Sequence, residues 1–195
     1  MLGEGRRDAS AAVLAGGQSR RFGSDKALAL FHGQPLVAHA VQAISAQFKE
    51  VLVVAKEPEK YFALVSALPC RLVRDLSPFQ TPLAGLASAF AEARFELIFA
   101  CAADMPFAAD ADLIDALRAA IRGHDAAVPV SAGVAQPLCA LWRRANCRAA
   151  ANELLRDGKA GPRALLEQVR TARLDWPDPR PFADADTPEA LAKLY

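Results

Sequence analysis

The stretch Leu14-Ala-Gly-Gly-Gln-Ser-Arg-Arg-Phe-Gly-Ser-Asp-Lys26, LAGGQSRRFGSDK, follows directly on a short apolar run, Ala11 to Ala15, that reads as a first β-strand. Its continuous apolar character suits a strand covered by helices on both faces. Gly16 and Gly17 carry no Cβ, so their amides can approach an anion closely, and consecutive amides in such a bend form an anion-binding nest. Arg20, Arg21 and Lys26 add fixed positive charge that would be self-repelling without a compensating anion or acids. A polyphosphate is the economical partner. Two common phosphate loops are excluded: Gly23 is followed by Ser24-Asp25 where a Walker A loop needs Lys-Ser/Thr, and the adjacent glycines do not make a GxGxxG.

Outward from this bend, short apolar runs alternate with helix-like segments, the pattern of an α/β domain with a mostly parallel sheet. Leu36 to Phe48 spaces Leu36, Val37, Ala40, Val41 and Ile44 on one helical face. Val51 to Ala55 reads as a second buried strand, with Pro58 opening a short helix after it. Cys70 to Arg74 is a third strand ending at Asp75, and Pro82 opens a helix running to about Arg94. Leu97 to Ala102 is a fourth strand, ending at Asp104, with Asp110 or Asp112 capping a helix over Leu113 to Ile121. From Asp125 the pattern changes. Ala126 to Val130 and Pro137 to Trp142 are strand-like on either side of a Ser-Ala-Gly turn, which predicts a hairpin-like excursion. Helices follow over Ala145 to Arg156 and Pro162 to Gln168, then a strand over Val169 to Trp176, and Thr187-Pro188-Glu189 opens a closing helix.

The chain has 195 residues, enough for one domain, with 53% apolar and 23% charged residues and a net charge of +1. This composition excludes disorder, and the near-neutral charge gives no broad basic field for a nucleic-acid backbone. No uncharged apolar run is long enough for a bilayer span. The four cysteines show neither a CxxC pair nor metal-ligand spacing, so reduced, buried thiols in a cytoplasmic protein are expected. Residues 1–9 are polar and read as a disordered tail, leaving 10–195 as a single domain.

Ligands of open parallel sheets bind at the carboxyl ends of strands, so Asp75 and Asp104 are expected beside the Gly-rich bend. Acids next to bases suggest a metal–nucleotide site, and hard oxygen donors favour Mg²⁺, which takes one or two carboxylates plus phosphate oxygens. Asp104 could instead cap a turn or helix, and for Asp75 a turn residue bonding its own backbone is a competing reading.

These residues resemble those of a known family. LAGGQSRRFGSDKAL is similar to the LAGGxSxRMGxDKAL signature of molybdenum cofactor guanylyltransferases, with Phe22 at the usual methionine. The likeness extends in order through Gly33-Gln-Pro-Leu36, Asp75, Thr81-Pro-Leu-Ala-Gly-Leu86, Asp104-Met-Pro-Phe107, Gln136-Pro-Leu138 and Asp184-Ala-Asp-Thr-Pro-Glu189. It implies a Rossmann-like, three-layer α/β nucleotidyltransferase fold, with 10–124 as the nucleotide-binding half and 125–195 as the acceptor-binding half. It implies transfer of GMP from Mg-GTP to molybdopterin with release of pyrophosphate, and molybdoenzymes or other cofactor-biosynthesis proteins as partners. By position, Leu14, Ala15, Gly16 and Gly17 line the nucleotide pocket, Arg21 and Lys26 meet the phosphates, and Asp75 and Gly85 lie on the nucleotide side. Asp104 is the magnesium ligand and a catalytic group with Arg21 and Lys26, while Gln136, Asp184 and Asp186 face the pterin acceptor. Beyond Phe22, three positions depart from the family pattern: Thr81 stands where glycine is usual, and Asp184 and Asp186 where asparagine is frequent. The second glycine of LAGG favours guanine, since related cytidylyltransferases usually read LAAG. A cytidylyl- or sugar-nucleotide transferase and a non-catalytic nucleotide or pterin carrier remain as alternatives.

Overall fold

The computed structural model describes residues 7–15, 25–156 and 161–195. Strand β1 (Arg7–Leu14) pairs in parallel with β4 (Phe48–Ala55) on one side and β6 (Leu97–Ala102) on the other. Beyond β4 lies β5 (Arg71–Arg74), also parallel. On the other flank, β9 (Cys139–Arg143) runs antiparallel to β6 and to β7 (Ala126–Ser131), and β10 (Thr171–Asp175) closes that edge parallel to β7. The order is therefore β10-β7-β9-β6-β1-β4-β5, with the two-residue β8 (Val134–Ala135) folded back on β7. The fold is a mostly parallel mixed sheet covered by helices on both faces, as the alternation of apolar runs implied.

Successive strand residues point to opposite faces, and the core divides accordingly. Ala11, Val13, Val51, Val53, Phe99 and Cys101 face one layer, with α1 (Leu36–Ser45) and α4 (Ala111–Ala120), through Val37, Val41, Ile44, Leu113 and Leu117. Their neighbours Ala12, Leu52, Val54, Ile98 and Ala100 face the other. There they meet α3 (Pro82–Glu92), α5 (Arg144–Arg156) and α6 (Pro162–Gln168), through Leu83, Leu86, Phe90, Ala151 and Leu165. Trp142 is fully buried in this second layer, 6.1 Å from Phe90 ring to ring.

Several boundaries differ from the sequence reading. β1 starts at Arg7, so residues 7–9 belong to the sheet and not to a tail, and Ala9 is fully buried. The first helix stops at Ser45, because Phe48 opens β4 and stacks on Phe99 at 5.7 Å. A small antiparallel pair, β2 (Leu30–Phe31) and β3 (Gln34–Pro35), was not anticipated; it turns through His32 and Gly33, both at positive φ. The predicted excursion at Ser-Ala-Gly is the β7–β8 hairpin, turning through Ala132 (φ 49°) and Gly133 (φ 77°). Pro129 in β7 has no N–H to donate, and its carbonyl accepts instead from Gln136 N at 2.9 Å, bringing the chain back across the sheet edge. The remaining helices are α2 (Phe62–Val65), behind the 3-10 turn opened by Pro58, and α7 (Pro188–Ala192), capped by Thr187 and preceded by a 3-10 turn over Arg180–Phe182.

Candidate active site

Because β1, β4, β5 and β6 run the same way, Leu14, Ala55, Arg74 and Ala102 all end on one edge of the sheet. The ladder continues one residue past each strand: Ala15 N donates to Val54 O (2.9 Å), Asp75 N to Ala55 O (2.8 Å) and Ala103 N to Leu14 O (2.9 Å). These bonds fix the backbone from which Asp75 and Asp104 depart. The edge opens into a cleft of about 540 Å³, within the size range of small-molecule sites. Leu14, Ala15, Lys26, Asp75, Gly85, Asp104, Gln136, Asp184 and Asp186 all line it. Gly16, Gly17 and Arg21 lie outside the described residues.

Lys26 opens a 3-10 turn, Lys26–Leu28, whose cap is Asp25: its Oδ1 accepts from Ala27 N (3.1 Å) and its Oδ2 from the Tyr61 hydroxyl (2.5 Å). Burial first, and then the Asp25 carboxylate, push the Tyr61 phenol well above its ordinary range, so it stays a donor. From this fixed turn the Lys26 ammonium reaches the Asp104 carboxylate and Asp186 Oδ1, the latter at 2.7 Å. Burial by itself would depress the Lys26 ammonium, but the charge and hydrogen bond of Asp104, with those of Asp186, outweigh it and leave it raised. Asp184 is raised, by burial first and then by the negative charge of Asp186 and Asp104. Lys26 thus supplies the compensating cation that acids at 184 and 186 require.

Asp104 is 4% exposed, and its carbonyl accepts from Ala185 N at 3.0 Å, which ties the Asp184–Asp186 segment to the end of β6. Among the described residues no group of three or more His, Cys, Asp or Glu side chains is arranged to hold a metal ion. A buried carboxylate at the mouth of the cleft still fits Mg²⁺, a hard cation that draws most of its ligands from phosphate and water.

Asp75 sits differently. Its Oδ1 accepts from Ser77 N (2.9 Å) and Ser88 Oγ (3.2 Å), and its Oδ2 pairs with Lys56 Nζ at 2.8 Å. The expected bond to its own backbone is present, and the residue also faces the cleft. Lys56, which completes this pair, did not enter the sequence reading, although its place immediately after VLVVA55 at a strand carboxyl end could have flagged it. Arg163, at the start of α6, was also passed over and also lines the cleft. Gly85 lets α3 approach β1: a Cβ there would stand 3.3 Å from Leu14 Cδ2. Thr81, in place of the usual glycine, caps α3 by accepting from Leu83 N at 3.4 Å. Gln136 reaches the rim through the backbone bond to Pro129.

The sequence profile of the MobA-like NTP transferase domain matches residues 11–174. A molybdenum cofactor guanylyltransferase of Burkholderia ambifaria (strain MC40-6) is 36% identical over 194 residues, covering 93% of each chain. The chain belongs to the molybdenum cofactor guanylyltransferase family of MobA-like NTP transferases. It is a nucleotidyltransferase. Nucleotidyltransferases of this family generally use a divalent metal ion. The crystal structure of molybdopterin-guanine dinucleotide biosynthesis protein A from Archaeoglobus fulgidus shares the fold at a TM-score of 0.78 and 22% identity, covering 95% of this chain and 96% of that one. CMP:2-keto-3-deoxy-manno-octonic acid synthetase, solved with CTP, shares it at a TM-score of 0.71 and 15% identity, covering 95% and 96%. The fold alone therefore does not choose the base. No helix among the described residues is long and apolar enough to cross a membrane.

Proposed function

We propose that this cleft joins GMP to molybdopterin with Lys26 and Asp104 as its central catalytic pair, Asp104 holding Mg²⁺ and Lys26 receiving phosphate charge. As a molybdenum cofactor guanylyltransferase the protein forms the molybdopterin guanine dinucleotide cofactor. The observation that carries the residue roles is the contact between Lys26 and Asp104: a cation leaving the β1 loop and an acid ending β6 meet inside one cleft. Leu14, Ala15, Asp75 and Gly85 lie on the β1, β4 and β5 side of that contact and bound the nucleotide; Gln136, Asp184 and Asp186 lie on the other side and face the acceptor. Residues 10–124 and 125–195 thus supply one wall each. Gly16, Gly17 and Arg21 join the nucleotide wall on the strength of the sequence signature.

The attacking group is the terminal phosphate of molybdopterin, already largely ionised near neutral pH because its second pKa is about 6. No general base is required. Its oxygen bonds to the α-phosphorus of GTP as the bond from that phosphorus to the bridging oxygen breaks, and pyrophosphate leaves. Lys26 offsets the charge that gathers on the leaving group, and Arg21 acts beside it. Mg²⁺, when bound at Asp104, neutralises phosphate oxygens and orders the chain for in-line displacement. The product passes to molybdoenzymes or their maturation partners. The near-neutral net charge of +1 supports small-molecule substrates and not a nucleic acid, and the unpaired cysteines suit the reducing cytoplasm.

The test is pyrophosphate release by the purified protein with Mg²⁺, molybdopterin and either GTP or CTP. Release that requires GTP and molybdopterin together is expected. Release with CTP in preference makes the protein a cytidylyltransferase, and nucleotide binding without release makes it a carrier.

A further inference from the structure

The strand order places two charged pairs at different distances along the cleft. Asp104 follows the end of β6 and meets Lys26 of the 3-10 turn, whereas Lys56 and Asp75 stand at the ends of β4 and β5. Neighbouring strands lie about 4.8 Å apart, so β6 and β5, three spacings from each other, are separated by roughly 14 Å. A nucleoside triphosphate laid along the cleft with its phosphates at Lys26 and Asp104 directs its base toward the far pair. Between the two pairs the wall is apolar, made by Leu14, Ala15, Val54, Ala55, Pro82 and Gly85, as a planar ring requires.

The hydrogen-bonding capacity left at the far pair is specific. An ammonium has three protons. Lys56 spends one on Asp75 Oδ2 and one on the Ser77 carbonyl. Asp75 Oδ1 is filled by Ser77 N and Ser88 Oγ, while among the described residues Oδ2 accepts only from Lys56. Among the described residues one donor and one acceptor remain side by side. Both side chains are largely enclosed, at 21% and 7% exposure, so an unmatched partner there is costly. The guanine edge offers the complement: O6 accepts, and the adjacent N1–H donates.

We propose that Lys56 is a base-specificity residue, donating its third proton to the guanine O6 while Asp75 fixes its position and accepts from N1–H. This assignment rests on the reading of the cleft as a GTP site. It concerns recognition alone and no step of transfer.

The test compares equilibrium binding of GTP and of 2-aminopurine ribonucleoside triphosphate, which lacks both O6 and the N1 proton, in the presence of Mg²⁺, to the wild type and to Lys56→Met. The wild type should prefer GTP. Lys56→Met should lose about tenfold or more in GTP affinity, leave affinity for the O6-lacking analogue unchanged, and shrink the preference by the same factor. Equal weakening of both nucleotides, or of neither, overturns the proposal, since a purely structural or phosphate-binding lysine would act on both alike. Should Lys56→Met fail to give a cooperative melt, Lys56→Gln is put through the same comparison with the same two outcomes. A wild type without preference for GTP overturns it as well. Wild-type preference for GTP lost in Lys56→Met, together with no transfer to molybdopterin, would leave this assignment standing and remove the proposed reaction.

Discussion

Lys26 and Asp104 neutralise each other in the resting cleft, yet each is proposed to serve phosphate chemistry, so replacing either should separate folding from activity. Asp104→Asn leaves Lys26 paired with Asp186 at 2.7 Å, and the far-ultraviolet spectrum and melting behaviour should remain those of a folded protein. Its pyrophosphate release should fall by about 10²-fold or more in kcat, the usual consequence of removing one electrostatic group from a transition state. Lys26→Met should lose a similar factor. Wild-type turnover by either folded variant would contradict the roles assigned to them. Asp186 tests the converse. Its side chain is 48% exposed, and exposed ion pairs contribute roughly 0–1 kcal/mol, so Asp186→Asn, which restores the residue frequent in the family, should leave the urea midpoint almost unmoved. The thiols make a last residue-scale case: Cys101 and Cys147 are buried, and that burial pushes them up to about 12, while Cys70 is partly exposed. A thiol reagent added to the native protein should label Cys70 first and the other three only as the chain unfolds.

At the scale of elements, two short motifs show opposite backbone demands. Thr81 has extended backbone angles and caps α3, so glycine is not needed there for conformation. Thr81→Ala should cost about 1 kcal/mol by chemical denaturation, and Thr81→Gly only a few tenths, because glycine is itself a tolerable cap. The β7–β8 turn is the opposite case: Ala132 carries a φ of 49°, a left-handed conformation that costs an alanine roughly 1 kcal/mol or more and asparagine less. Ala132→Asn should therefore stabilise the protein by about 0.5–1 kcal/mol, read as a higher urea midpoint at unchanged slope. The strands and helices themselves were legible because their signals are local. LIFACA is a continuous apolar run and is β6 from end to end, and Asp110 caps α4 through Leu113 N at 2.8 Å. The β2–β3 pair was not legible, since strands of two residues carry no period for a pattern to show.

Over the whole molecule, the end of the sheet opposite the cleft is held by two buried carboxylates. Asp125 is drawn well below the usual carboxylate range by hydrogen bonds from Arg170, against the opposing effect of burial, with Asn146 adding to it at 2.6 Å. Burial alone would raise Glu50, but bonds from Ser10, the Arg94 amide and Arg71 outweigh it and leave it lowered. The unfolded chain therefore binds protons that the folded one refuses. The stabilisation from both groups is complete above about pH 5 and is lost as the pH falls through the ordinary carboxylate range near 4 and on toward the folded-state values. Urea midpoints should fall steeply below that range, and Asp125→Asn should flatten this acid limb while lowering the midpoint at neutral pH. Neither pair could be read from the chain: Asp125 and Arg170 are 45 residues apart, and Ser10 and Glu50 are 40 apart.

The local order of residues determined where each strand ends and that an acid follows two of those ends, because apolar runs, prolines and caps act over a few neighbouring residues. It did not say which cation each acid would meet. Asp75 and Asp104 each follow a buried strand, yet one is paired with Lys56 and the other with Lys26. Only the tertiary structure decided that division: the order β4-β5 sets Asp75 beside Lys56 at the neighbouring strand end, and the 3-10 turn brings Lys26 to Asp104 at the end of β6. The same turn brings the Lys26 ammonium to Asp186, 160 residues away in sequence. Charges so far apart along the chain meet only because burial of both sheet faces fixes the strands that carry them.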